Sequence, residues 1–286
     1  MITASLAVIL GFIVLVWSAE RFIQGAAATA LHLGMPPLVV GMVIVGFGTS
    51  APEMVVSAIA ALDGNPELAL GNALGSNIAN IGLVLGATAL IAPIAVQSNI
   101  VRRELPLMLA VSVLAGFFLW DQRLTRVEGL ILLAGILLLV GWTIYSALRG
   151  REDRLADETV EELGEEHLPL SRALWLLLLG MVLLVVSSRA LVWGASSIAS
   201  ALGVSDLIIG LTVVAIGTSL PELAASIVAA RKGEHDIAVG NIVGSNMFNL
   251  LAVIGIAATI APMPEVSPEV FGRDWLTMMG FSIEVL

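Results

Sequence analysis

The chain has 286 residues, 58% of them hydrophobic and 13% charged, with no cysteine and a formal net charge of −10. A water-soluble domain carries roughly twice that charged fraction, so composition excludes an ordinary soluble fold, and the lack of cysteine excludes disulfides and thiolate metal sites. The acidic balance comes mostly from the stretch 149–169 and gives no reason to expect a nucleic-acid partner.

Apolar runs of about 20 residues, each long enough to cross a bilayer, follow one another along the chain. The first predicted helix covers 3–27. Its apolar run from Ala4 to Trp17, with small residues at Ala26 to Ala28, could pass for a secretory signal, but no positive charge precedes the run. Its glycines Gly11, Gly25 and Gly34 return as Gly180, Gly194 and Gly203. The segment therefore belongs to a repeat and is expected to be a retained membrane helix.

The second predicted helix, 37–61, carries Gly46, Gly48, Thr49, Ser50, Pro52 and Glu53. Pro52 has no N–H for the carbonyl of Gly48, and glycine tolerates the unwinding that follows. Carbonyls near Gly46 are then expected to be free to meet an ion. Thr49 and Ser50 precede Glu53 by four and three residues, so the three are expected to share one helical face. A proline and two glycines alone would make an ordinary kink. A carboxylate at mid-membrane costs about 2.5–3.5 kcal/mol on insertion scales, which asks for a functional reason.

The third predicted helix, 67–91, places Asn72, Ser76 and Asn80 four residues apart on one face. Gly71 and Gly75 form a small-residue pair suited to close helix packing. Asn77 points about 100° away and is expected to hold backbone or a neighbouring helix. A fourth helix is predicted at 103–120 and a fifth at 126–148. The acidic stretch after them reads as a solvated linker, its spacing matching no calcium-loop pattern.

The second half repeats this order, with helices predicted at 172–199, 206–230 and 236–260 and a ninth beginning near Arg273. Gly217-Thr218-Ser219-Leu220-Pro221-Glu222 echoes Gly48-Thr49-Ser50-Ala51-Pro52-Glu53, and Ala215 stands where the first half has Gly46. Gly240-Asn241-Ile242-Val243-Gly244-Ser245-Asn246 echoes Gly71-Asn72-Ala73-Leu74-Gly75-Ser76-Asn77, and Asn249 echoes Asn80. Every pair sits at an offset of 169 residues. Measured against the first half, the chain reads as truncated in its ninth helix, with a tenth absent. The expected fold is an all-α polytopic membrane protein: two inverted five-helix repeats around a central ion-binding core. The expected divisions are a first half over 1–148, an acidic cytoplasmic loop over 149–170 and a second half over 171–286.

An odd helix count per half makes the repeats enter the membrane from opposite sides, as in many secondary transporters. With the N-terminus outside, Arg21, Arg102, Arg103, Arg149, Arg151, Arg154, Arg172, Arg231 and Lys232 fall inside. Arg123, Arg126, Arg189 and Arg273 fall outside. The positive-inside rule favours that orientation in a cell membrane. The two polar blocks offer carboxylates, hydroxyls, amides and carbonyls, the mixed oxygen set that hard cations such as Ca²⁺ and Na⁺ take. No nucleophile elbow, phosphate loop or zinc motif is present, so no enzyme activity is expected. His32, His167 and His235 lack metal-ligand spacing.

The paired blocks GTSAPE with GNALGSNIAN, and GTSLPE with GNIVGSNMFN, resemble the two alpha-repeats of the calcium/cation antiporter superfamily, especially prokaryotic sodium/calcium exchanger-like proteins. The resemblance covers nearly the whole chain apart from the central loop. It implies that Glu53 and Glu222 bind Ca²⁺ with help from Thr49 and Thr218. It implies that Na⁺ uses Ser50, Ser219, Ser76, Ser245 and backbone oxygens of Gly46 and Ala215 while sharing the glutamates. Asn80 and Asn249 would sit at the centre, supported by Asn72, Asn241, Pro52 and Pro221. Helices 1 and 6 would slide across this core as gates. Some relatives carry Asp at the position of Asn249, and its absence argues against K⁺ dependence.

The core offers two carboxylates and no third. Ionised and empty it carries −2, a poor species to move through lipid, and one Ca²⁺ or several Na⁺ neutralise it. Loaded transitions are therefore favoured, as antiport requires, and protons compete for the same oxygens. The expected activity is Na⁺/Ca²⁺ antiport that exports Ca²⁺ by alternating access, with no cofactor. The alternatives are a H⁺/Ca²⁺ or other divalent cation antiporter, and a non-transporting ion-binding subunit or channel.

Overall fold

A computed structural model describes residues 1–94, 103–154, 168–203 and 215–284. Helices account for almost all of the described residues, and the one β contact among them is an isolated antiparallel bridge between Leu124 and Met263. In chain order the helices are α1 (Ile2–Leu33), α2 (Pro37–Thr49), α3 (Ala51–Leu62), α4 (Pro66–Ile91), α5 (Leu105–Leu119) and α6 (Arg126–Arg154). After the central segment come α7 (Leu170–Ala201), α8 (Ala215–Thr218), α9 (Leu220–Arg231), α10 (His235–Ile260) and α11 (Leu276–Glu284).

Among the described residues α1, α4, α6, α7 and α10 contain apolar stretches long enough to cross a membrane, and α2 with α3 form a bent pair that does so together. Their side chains explain the placement. Exposed Leu, Ile, Val, Phe and Trp residues coat α1, α6 and α7, which is what a lipid-facing helix presents. α10 is the exception: 89% of its most apolar window is buried, against 22–39% for the other four. It runs through the centre, packed against α2, α4, α5 and α6.

Two helices run past their expected ends. α1 continues to Leu33, where Gly34 adopts a left-handed φ of 60° and its N–H caps the last turn. α6 continues to Arg154 instead of ending at 148, so the first residues assigned to the acidic loop are helical. Residues 155–167, most of that loop, and residues 204–214, the start of the seventh expected helix, lie outside the described residues. The ninth expected helix is entered through a wide π-turn at Val270–Trp275.

Two long helices, α1 and α7, pack along each other antiparallel through glycines. A Cβ on Gly25 would lie 2.4 Å from the backbone N of Leu177, and one on Gly180 would lie 2.6 Å from that of Phe22. Gly11 meets Leu191 and Gly194 meets Val8 and Ala4. Each contact in one half has its counterpart in the other, the pattern that a two-fold relation between the halves produces. Without side chains at these points the two backbones approach closely.

A candidate cation site between the two halves

Proline sets the break in the helix that carries each glutamate. Pro52 and Pro221 supply no N–H to the carbonyls of Gly48 and Gly217. α2 stops at Thr49 and α3 begins at Ala51, bent by 43°. Ser50 between them has φ −83° and ψ 1°, and Ser219 has φ −89° and ψ 6°. This corrects the expectation that Thr49, Ser50 and Glu53 share a helical face. The break separates the hydroxyls from the carboxylate that follows them, and turns them across to the other half. The carbonyl of Gly46 likewise stays in the helical ladder, accepting from the N–H of Ser50 at 3.0 Å. Its oxygen also accepts from the hydroxyls of Thr49 at 3.4 Å and Ser245 at 3.5 Å.

Both glutamates are buried, Glu53 with 0% and Glu222 with 1% exposure. Each occupies the first turn of its helix, α3 or α9, where the positive end of the helix dipole favours a carboxylate. The ion pairs among the described residues lie elsewhere, at Arg103–Glu104 and where Arg273 meets Glu269 and Asp274. A buried carboxylate without a cationic partner costs several kcal/mol, and these two lie close enough to repel each other.

The surrounding hydrogen bonds reciprocate between the halves. Asn72 Nδ2 donates to the backbone oxygen of Glu53 at 3.4 Å and to Ser57 Oγ at 3.1 Å. Asn241 Nδ2 donates to the backbone oxygen of Glu222 at 3.2 Å and to Ser226 Oγ at 2.9 Å. Asn80 Nδ2 donates to Asn246 Oδ1 at 3.1 Å, and Asn249 Nδ2 donates to Asn77 Oδ1 at 3.0 Å. The reciprocity breaks at the hydroxyls. Ser50 Oγ donates to Glu222 Oε1 at 3.3 Å, and Thr49 Oγ1 donates to Asn241 Oδ1 at 3.0 Å and lies 3.2 Å from Ser245 Oγ. In the other half Thr218 lies beside Glu53, while Ser219 Oγ has no partner.

What remains open is a set of oxygens. Both carboxylate oxygens of Glu53, Glu222 Oε2, Asn80 Oδ1, Asn249 Oδ1 and Ser219 Oγ are buried without a hydrogen-bond partner. Native structures satisfy nearly all such groups; Thr88 Oγ1, Ser196 Oγ, Thr259 Oγ1 and His235 Nδ1 are open as well, but the six named atoms belong to the repeated motifs and form the candidate ligand set. Oxygens alone, three of the six from carboxylates, suit a hard alkali or alkaline-earth cation. Among the described residues no three His, Cys, Asp or Glu side chains converge, so the rest of the donor set is neutral.

Of the residues expected at the site, Thr49, Ser50, Gly46, Asn241, Ser245 and Glu222 are joined by direct contacts. Glu53, Ser219, Asn80 and Asn249 contribute open oxygens, and Asn72 braces Glu53. Ser76 is buried on α4 one turn after Asn72. Of Ala215 only the backbone is described, at the start of α8. The packing expected of Gly240 and Gly244 is present: their Cβ atoms would lie 2.5 Å from Leu38 O and 2.3 Å from Met42 O. The segment that would face Gly71 and Gly75 by symmetry is outside the described residues.

Three features were not read from the sequence. Ser57 and Ser226 hold the two bracing asparagines, and their recurrence four residues after each glutamate was a usable signal. Ser188 on α7 donates to the carbonyl of Gly217 at 2.9 Å, the carbonyl that Pro221 leaves without its helical donor. Its counterpart Ala19 has no hydroxyl to do the same for Gly48. Finally, π-turns begin at both central asparagines, Asn80–Leu85 and Asn249–Val253. Such turns recur at functional sites, and no residue pattern announced these.

The sequence profile of a family described as "Sodium/calcium exchanger protein" matches residues 3–145 and 172–286. The chain is 48% identical over 287 residues to the "Putative antiporter CaxA" of Alkalimonas amylolytica, covering 100% of this chain and 89% of that protein. It is 43% identical to the "Inner membrane protein YrbG" of Escherichia coli K12, covering 99% and 87%. The "Sodium/calcium exchanger MaX1" of Methanosarcina acetivorans is 29% identical over 95% of the chain and 87% of its own length. In structure the chain resembles the sodium-calcium exchanger NCX_Mj soaked with 2.5 mM Na⁺ and 0.1 mM Ca²⁺. The TM-score is 0.85 at 29% identity, over 100% of this chain and 90% of that one.

Proposed function

This chain belongs to the sodium/calcium exchanger protein family, as a multi-pass membrane cation antiporter and not an enzyme, and we propose that it exchanges Na⁺ for Ca²⁺ and exports Ca²⁺. The observation that carries this reading is the pair of buried carboxylates on broken helices, surrounded by neutral oxygens and, among the described residues, forming no ion pair. Two carboxylates neutralise one Ca²⁺ in a medium that penalises net charge. Two Na⁺ do the same at the same oxygens, and a third leaves a single positive charge. The protein therefore crosses loaded with one ion type or the other, which couples the two flows.

By the resemblance of the motifs, Ca²⁺ is held by Glu53 and Glu222 with Thr49 and Thr218. Na⁺ is held by Ser50, Ser219, Ser76 and Ser245 with the backbone oxygens of Gly46 and Ala215 and the shared glutamates. Asn80 and Asn249 lie between them, and Asn72, Asn241, Pro52 and Pro221 support the set. α1 and α7 slide as the gates. The excess of Arg and Lys on one side supports a cell-membrane orientation with the N-terminus outside. The halves over 1–148 and 171–286 act as inverted repeats joined by the acidic segment.

Counterflux tests the coupling. Radioactive Ca²⁺ uptake is measured in everted vesicles against imposed Na⁺, K⁺ and H⁺ gradients in one preparation. Uptake driven by Na⁺ loaded inside, absent with K⁺ and unaffected by a pH gradient alone, is the expected result. Uptake that persists without Na⁺ and follows the pH gradient replaces this reading with H⁺/Ca²⁺ antiport. Binding without counterflux indicates a non-transporting subunit, and saturation-free leak indicates a channel. Because the chain has no cysteine, a single Cys added at the N-terminus reports sidedness in the same vesicles. Labelling by an impermeant maleimide from the cytoplasmic face would reverse the proposed orientation.

A further inference from the structure

Two asparagines that carry no open atom of the site control the atoms that do. Asn77 Nδ2 donates to the backbone oxygen of Asn246 at 3.1 Å and to Met278 Sδ at 3.5 Å. A carbonyl can only accept, so the amide end of Asn77 is fixed there and its oxygen faces the other way. That oxygen can take only an N–H, and it takes Asn249 Nδ2 at 3.0 Å. Asn249 is left with its own oxygen buried and without a partner.

Across the two-fold the arrangement is similar, but its anchor is a thioether, a weak acceptor, where Asn77 has a backbone carbonyl. Asn246 Nδ2 donates to Met108 Sδ at 3.6 Å, and its oxygen accepts from Asn80 Nδ2 at 3.1 Å. Asn80 Oδ1 is then the open atom. All four side chains are buried. A free amide rotates readily between two orientations that differ by an exchange of oxygen for NH₂. Turned the wrong way, Asn80 or Asn249 would aim two N–H dipoles at a cation.

We propose that Asn77 and Asn246 are positioning residues for cation exchange: they lock the amides of Asn249 and Asn80 so that only carbonyl oxygen faces the ion site. The inference rests on the proposed Na⁺/Ca²⁺ exchange. It adds residues that touch no ion and act through their neighbours.

A double-mutant cycle separates orientation from packing, because a carboxylate presents oxygen in either orientation. The readout is the half-saturating Na⁺ concentration for Ca²⁺ counterflux. Asn77→Ala is expected to raise it about tenfold, the scale of one hydrogen-bond-sized interaction, with maximal flux nearly unchanged. In an Asn249→Asp background the same Asn77→Ala change is expected to raise it by less than about threefold. An unchanged Na⁺ dependence, or an equal loss in both backgrounds, overturns the proposal. Asn246→Ala measured against Asn80→Asp gives the same cycle in the other half, so it decides the matter if an Asn77 variant does not fold. Absence of Na⁺-driven flux in the unmodified protein instead defeats the proposed function, so the two failures are distinguishable.

Discussion

Glu53→Gln and Glu222→Gln are each expected to abolish Na⁺-driven Ca²⁺ flux and to weaken Ca²⁺ binding by a factor on the order of 10²–10³. The figure corresponds to roughly 3–4 kcal/mol, the lower part of the range lost when one partner of a buried charge interaction is removed. Glutamine keeps the shape of the side chain. It replaces one ligand oxygen by an NH₂ and leaves a single negative charge to face a divalent ion. The two carboxylates are not in the same condition: Glu222 Oε1 accepts from Ser50 at 3.3 Å, while Glu53 has Thr218 beside it but no hydrogen bond of ordinary geometry among the described residues. Burial of an uncompensated carboxylate also opposes folding. Each variant is therefore expected to melt at a higher temperature than the parent when no Ca²⁺ is present, and to lose the stabilisation that Ca²⁺ gives the parent. Thermal unfolding in detergent with and without Ca²⁺ reads both effects. Variants with lower ion-free stability and retained Ca²⁺ stabilisation would place the carboxylates in a structural role.

The second large effect is expected at Gly244. A Cβ there would lie 2.3 Å from the carbonyl oxygen of Met42 and 2.7 Å from its Cα. Backbone cannot rotate away as a flexible side chain can, so Gly244→Ala must push α10 from α2. Overpacking of this kind costs about 1–3 kcal/mol. The displacement reaches the ion site directly, because the next residue, Ser245, contacts Thr49 and the carbonyl of Gly46. Lower thermal stability together with weaker Na⁺ binding is the expected outcome. Gly141→Ala is the control: that glycine is exposed on α6 with nothing within 4 Å of the added carbon, and the change is expected to be neutral or slightly stabilising. Equal behaviour of the two variants would remove the close approach of α2 and α10 from the account.

Much of the site was legible because duplication writes it twice. A lone Glu53 in an apolar helix is ambiguous, whereas Glu53 and Glu222 behind matching Thr, Ser and Pro residues are not. Helical spacing put Asn72 and Asn80 on one face and expected Asn77 to hold backbone or a neighbouring helix; Asn72 is half-buried against Glu53 and Ser57, and Asn77 donates to the backbone oxygen of Asn246. What spacing could not supply is the partner across the axis. Ser50 reaches Glu222 and Thr49 reaches Asn241 because α2 breaks between these hydroxyls and Glu53, and a continuous-helix rule carries no information about the far side of a break. Helix ends were misplaced for a different reason. Hydropathy fades where a helix leaves the apolar zone, while the hydrogen-bond ladder of α1 runs on to Leu33 and that of α6 to Arg154. The π-turns at Asn80 and Asn249 have no residue pattern that announces them.

Under the proposed exchange, one set of buried oxygens serves both ions in turn. Equilibrium Ca²⁺ binding to the purified protein, titrated with Na⁺ at constant ionic strength, tests it most directly. Na⁺ is expected to displace Ca²⁺ completely and with a Hill coefficient above one, since more than one Na⁺ is needed to balance two carboxylates. Ca²⁺ that stays bound at saturating Na⁺ would contradict it.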